Sequence, residues 1–149
     1  MVNYPLKFES ILKDKIWGGE KLKTLLHKNT EQDNIGESWE ISAVSGDISI
    51  VSNGILKGKS LLELIEVFKE RLVGDHVYKI FGNQFPLLIK YIDAKEALSI
   101  QVHPNDELSK KRHNSFGKTE MWYVMQADES ANLIVGFSKN VSKEAYNCY

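Results

Sequence analysis

Between Ser60 and Leu72 the apolar residues recur at helical spacing. Leu61, Leu64, Ile65, Phe68 and Leu72 fall on one stripe, with Glu63, Glu66, Lys69, Glu70 and Arg71 mostly off it. Ser60 followed by Glu63 is a capping-box signature, and Gly74 is a natural stop, so the pattern predicts one helix to Leu72. Asp75 to Phe81 suits a short second helix. Elsewhere the residues suit strands, by alternation at Ser38–Val44 and Ala97–His103 and by runs of large strand formers after Pro86. Short strands are predicted at Leu6–Phe8, Ser38–Val44, Asp47–Val51 and Leu87–Asp93, and again at Ala97–His103, Thr119–Gln126 and Asn132–Phe137. Trp17-Gly18-Gly19 reads as a loop, Glu20 to His27 as one or two helical turns, and Asn53-Gly54 as a turn. Val141 to Tyr146 begins a helix. Short strands with a helical excursion at 60–82 predict a mainly β, β-rich α+β fold of barrel or jelly-roll type.

The chain has 149 residues, 42% hydrophobic and 26% charged, an ordinary globular composition that excludes disorder, collagen and coiled coil. One domain, 1–149, is expected. Nineteen Lys and Arg face 20 acids, a net charge of −1, so there is no basic excess to suit nucleic acid or an anionic membrane. The cluster Lys110-Lys111-Arg112 reads as a solvated loop. The N-terminal residues lack the pattern of a signal peptide, and no apolar run is long enough to span a bilayer. The single cysteine, Cys148, allows no internal disulfide and fits a reducing compartment. A cytoplasmic protein is expected.

The chemistry concentrates after residue 97. Strand geometry puts Leu98, Ile100 and Val102 on one face and Ser99, Gln101 and His103 on the other. Gln101 and His103 can then lean toward one ion, although a solvent face with a chance histidine would look the same. Pro104-Asn105-Asp106 ends the strand directly after His103, and strand ends beside loops are where sites lie on sheet scaffolds. Glu120 enters the next expected strand beside Trp122 and Tyr123, where an unpaired carboxylate is costly and a divalent cation would compensate it. Gln oxygen, His nitrogen and Glu oxygen suit zinc, and also manganese, cobalt or ferrous iron. Lys90 lies among apolar residues in LLIKYI, at an edge or facing either solvent or a polar cavity. Trp39 reads as packing. His27, His76 and His113 lack ligand spacing and read as surface or helix-end residues.

The words ALSIQVHPND (97–106) and GKTEMWYV (117–124) resemble type I phosphomannose isomerases. IWGG (16–19), GESWEIS (36–42), GKSLLEL (58–64) and FPLLIKYIDA (85–94) follow in the family's order and spacing, so the resemblance covers essentially the whole chain. It implies a cupin-type jelly-roll barrel with helical additions and one zinc ion held by a glutamine, two histidines and a glutamate. Carried onto this sequence, Gln101, His103 and Glu120 are three of those four ligands. The resemblance also assigns Ser99 to the substrate phosphate and turns Lys90 toward the cavity. Lys118, two residues before Glu120, joins Lys90 as a cation for phosphate or enediolate charge. From its glycine-rich loop alone, Trp17 reads equally as packing or as lining the sugar site. The implied reaction is the metal-dependent interconversion of mannose 6-phosphate and fructose 6-phosphate through a cis-enediol.

Family members run on for about as long again, and the second metal-binding histidine and a catalytic arginine lie in that further stretch; no histidine follows His113 here. The chain is therefore expected to be a fragment, a truncated product or a half-protein needing a partner, with self-association through unpaired strands. Two other functions compete. One is a truncated, non-catalytic cupin module that binds metal or sugar phosphate. The other is a metal-dependent oxidoreductase on the same fold, which is disfavoured because Gln101 stands where such enzymes typically present the first histidine of a His-x-His pair.

Overall fold

A computed structural model of the chain describes residues 4–146, and Cys148 lies outside them. The chain divides into two compact units, one ending at Leu98 and the other beginning at Ser99.

The first unit is built on a three-stranded antiparallel sheet in the order β1-β2-β5, from β1 (Ile11–Gly19), β2 (Ile35–Ile41) and β5 (Ile89–Ile92). In β1 and β2, Ile11 registers with Trp39, Leu12 with Ser38 and Lys13 with Glu37. Asp14 and Gly19 both register with Ile35, so the residues between them bulge out of the β1–β2 ladder, and Gly18 bridges to Ala94 instead. Trp17-Gly18-Gly19 thus belongs to a bulged strand end, not to the expected loop. On the other side of β2, Glu37 registers with Ile92 and Trp39 with Lys90. A short helix α1 (Lys21–Thr24) follows β1, and Lys21 N donates to the buried Asp93 carboxylate at 2.6 Å. The expected strand Ser38–Val44 is formed to Ile41 as part of β2 and resumes as β3 (Ala43–Val44), which pairs with β4 (Asp47–Ile48) in a two-stranded ribbon; the expected strand to Val51 stops at Ile48, beyond which Ile50 and Val51 make only single bridges, to Ser60 and Phe8.

Residues 61–81 are helical, as the apolar stripe requires. In α2 (Leu61–Phe68) the capping box is closed in both directions: Glu63 N donates to Ser60 Oγ at 3.2 Å and Ser60 N to Glu63 Oε2 at 2.8 Å. The expected single helix is broken at Lys69, whose φ of +50° cannot continue an α-helix. The chain restarts as α3 (Glu70–Val73) and α4 (Asp75–Phe81). Leu61, Leu64 and Ile65 from α2 join Leu22, Ile35 and Val51 in the buried core.

The second unit carries α5 (Asp106–His113) and α6 (Lys143–Tyr146). The strands expected at 97–103, 119–126 and 132–137 are not formed. A strand needs a neighbour for its backbone N–H and C=O groups, and among the described residues none is supplied. Their apolar side chains accordingly lie open, with Ile100, Val102, Met121, Tyr123 and Val135 all exposed. The result is α+β with small sheets. The Lys110-Lys111-Arg112 cluster is the last turn of α5, where cations face the carbonyl end of the helix, and not a loop. Its signal was present in the sequence: Asn105 caps the helix by accepting from Leu108 N at 3.0 Å, and Asp106 and Glu107 occupy the first turn.

Ile65 is fully buried at the centre of the α2 stripe. Ile65→Ala is expected to lower the stability of the first unit by about 2–5 kcal/mol. Glu66→Ala, on the exposed face, should change it by no more than about 0.5 kcal/mol. Urea denaturation of the two variants checks this.

Candidate functional site

The second unit brings His103 and Glu120 together through a close backbone approach. Lys118 N donates to Pro104 O at 3.3 Å, and Gly117 N donates to Asp106 Oδ1 at 2.8 Å. Gly117 permits this: a Cβ there would lie 2.6 Å from Asn105 C and Asp106 N, both backbone atoms that cannot swing aside. Ser109, buried in α5, ties the same segment down by donating to Phe116 O at 2.7 Å. The segment before α5 and the segment after it are thereby docked side by side.

The outcome is that His103 Nε2 faces Glu120 Oε2 at 3.3 Å, while Lys118 Nζ faces Glu120 Oε1 at 3.4 Å. Gln101 Nε2 donates to Ser99 Oγ at 3.0 Å. An open cavity of about 530 Å³ is lined by His103, Pro104, Asn105, Glu107, Leu108 and Lys111. No group of three or more His, Cys, Asp or Glu side chains able to hold a metal ion occurs among the described residues. The donor chemistry nonetheless suits zinc. Two ligand atoms at about 2.0–2.1 Å in a tetrahedral shell lie about 3.3 Å apart, the separation found between His103 and Glu120. Gln101 turns its amide nitrogen to Ser99, which leaves the amide oxygen as the end suited to a cation.

The remaining expected site residues lie in the first unit. Lys90, on the edge strand β5, is half-buried and donates to Glu37 Oε1 at 2.8 Å. It thus stands on an edge strand with its ammonium engaged by a buried carboxylate. Trp17 is half-buried in the β1 bulge; its ring packs where a Cβ on Gly36 would stand, 2.6 Å from Trp17 Cζ3. Its carbonyl accepts from Lys95 N at 2.9 Å and Glu96 N at 3.2 Å. Trp39 is half-buried, with its indole N–H committed to Glu37 Oε2 at 2.8 Å and Lys13 Nζ 4.9 Å from its ring centroid. His27, His76 and His113 are exposed.

Glu37, which the sequence reading passed over, is the group that organises this face. It is 8% exposed. Burial pushes its carboxyl up, but the hydrogen bonds from Lys90 and Trp39 and the nearby positive charge outweigh burial and hold it below its ordinary value. A second ion-pair cluster was also missed. Lys28 Nζ lies 2.7 Å from Glu40 Oε1, and Glu40 accepts from Ser38 Oγ at 2.5 Å. The signal for both was a pair of acids in a strand-patterned word, GESWEIS.

The type I phosphomannose isomerase catalytic-domain model matches residues 6–133. Mannose-6-phosphate isomerase from Streptococcus mutans is 38% identical over 94% of this chain and 43% of its own length. The ManA mannose-6-phosphate isomerase of Bacillus subtilis is 37% identical over 97% of this chain and 44% of its own. Among solved structures, mannose 6-phosphate isomerase from Bacillus subtilis matches at a TM-score of 0.67 and 37% identity, covering 76% of this chain and 35% of that one. A mutant phosphomannose isomerase from Salmonella typhimurium matches at 0.61 and 28%, covering 73% of this chain and 29% of that one. The class is thus fixed by sequence and fold together. The chain belongs to the type I phosphomannose isomerase family, and it spans less than half the length of these two curated relatives. No helix is long and apolar enough to cross a membrane among the described residues.

Two outcomes follow from this geometry. Gly117→Ala should push the 116–120 segment off α5, and hydrogen exchange should show the amides of Gly117 and Lys118 losing protection while those of α2 keep theirs. The lowered carboxyl of Glu37 contributes stability above its ordinary value of 4.5 and loses it as pH falls through the folded value. The stability gap between wild type and Glu37→Gln, read from urea midpoints, should therefore be larger at about pH 7 than at about pH 3.

Proposed function

We propose that the chain carries the metal-holding and substrate-binding part of a metal-dependent aldose–ketose isomerase. It would act on mannose 6-phosphate and fructose 6-phosphate in the cytoplasm. In this reading residues 1–149 act as one catalytic domain, the first part of a cupin-type jelly-roll barrel. What supports it is the family match across the chain, together with the meeting of His103, Glu120 and Lys118 within 3.4 Å.

Gln101, His103 and Glu120 would hold one zinc ion, which when bound supplies Lewis acidity toward the sugar's oxygens. The reaction moves a proton between C1 and C2 through a cis-enediol, so negative charge develops next to a carbonyl carbon. Lys90 and Lys118 bring ammonium groups to that charge or to the phosphate. Ser99 Oγ donates to the phosphate, and Trp17 offers an apolar ring to the sugar.

The test is zinc titration and mannose 6-phosphate binding with the purified chain, followed by a coupled isomerisation assay. One zinc per chain is expected. His103→Ala or Glu120→Gln should weaken zinc binding by more than about tenfold. Lys118→Met should weaken sugar-phosphate binding while leaving zinc content unchanged. Equal loss of zinc in Lys118→Met, or no loss in His103→Ala, overturns these assignments. Turnover by the chain alone should be low and should rise when the remaining length of a Bacillus subtilis relative is supplied. Binding that never yields turnover under either condition selects the non-catalytic module instead.

A further inference from the structure

We propose that Glu37 is a positioning residue that fixes the Lys90 ammonium for the sugar phosphate. This inference rests on the reading of Lys90 as a substrate-contacting cation.

A lysine side chain has four rotatable carbons and an unrestrained ammonium, so an isolated Lys90 would sample many positions. Here its Nζ donates to Glu37 Oε1 at 2.8 Å. A single carboxylate contact would still let both groups swing together. Glu37 cannot swing, because its other oxygen accepts from Trp39 Nε1 at 2.8 Å. The indole is in turn covered by Lys13, whose Nζ is 4.9 Å from the ring centroid. Register explains the arrangement. Glu37 and Trp39 alternate along the central strand β2, Trp39 stands opposite Lys90 on β5, and Lys13 stands opposite Glu37 on β1. All four side chains therefore share one face of the sheet.

The geometry also says what Lys90 is left able to do. An ammonium has three N–H donors, and Glu37 takes one. The other two can reach phosphate or sugar oxygens from a fixed origin, which reduces the ordering a ligand must impose on binding. Glu37, doubly hydrogen-bonded and 8% exposed, is shielded from acting on substrate itself. Its influence passes through Lys90.

A double-mutant cycle on the zinc-loaded full chain tests this, with mannose 6-phosphate binding measured by calorimetry. Glu37→Gln should weaken binding about tenfold when Lys90 is present, and less than about twofold in the Lys90→Met background. Glu37→Asp, which keeps the carboxylate but shortens its reach, should fall between Gln and wild type, and it stands in if Glu37→Gln does not fold. Zinc affinity should be unchanged throughout. If Glu37→Gln weakens binding equally with and without Lys90, its role is structural and the proposal is overturned; no effect in either background overturns it as well. If Lys90→Met leaves binding unchanged while His103→Ala alters zinc binding, the assignment of Lys90 fails and this inference falls with it. Absence of measurable sugar-phosphate binding by the wild-type chain overturns both.

Discussion

A buried carboxylate on a central strand constrains everything around it. Glu37 lies between two neighbouring strands with almost no exposure to water, and desolvating a carboxylate without partners is prohibitively costly. The sheet supplies those partners from both directions: Lys90 from the edge strand and the indole of Trp39 from the same strand. Positive charge on β1 adds to them, with Lys15 lowering the carboxyl's proton affinity further. Breaking a half-buried pair of this kind costs more than forming it contributes, because the remaining charge stays desolvated. The register of β1, β2 and β5 is thus tied to one acid as well as to the apolar core.

The second unit is organised on a different principle. None of its described apolar side chains is buried, so hydrophobic burial does not set its conformation. The capped and charge-complemented helix α5 does so, together with a glycine that allows the following segment to lie against its start. That local device is sufficient to hold His103 and Glu120 at a spacing that suits two ligands of one ion. It is not sufficient to turn the flanking segments into strands.

This difference accounts for what the sequence could and could not show. The helical stripe of α2 and its capping box were legible because helix geometry is local: each bond and each buried face is specified within a few residues. The strand pattern of Ala97–His103 was equally clear as alternation, yet alternation describes a side-chain pattern and not a partner, and no partner is formed among the described residues. Glu120 stood out as a carboxylate among large apolar residues, which needs a partner. The same question put to Glu37 and Glu40 in GESWEIS would have found the ion pairs to Lys90 and Lys28. It could not have named those partners, because they lie 53 and 12 residues away and only the folded register brings them close. Lys69 escaped for the opposite reason, since nothing in its chemistry announces a positive φ.

The two candidate substrate cations are consequently held in unlike ways. Lys90 donates to a carboxylate that is itself anchored by an indole N–H, so its place is set by the sheet. Lys118 lies 3.4 Å from a carboxylate oxygen of Glu120, whose other oxygen already faces His103. Its side chain is about half exposed, with a relative accessibility of 47%, against 20% for Lys90. An exposed ion pair of that length is weak and readily exchanged for water. Of the two ammonium groups, that of Lys118 is therefore the less constrained and that of Lys90 the more firmly held.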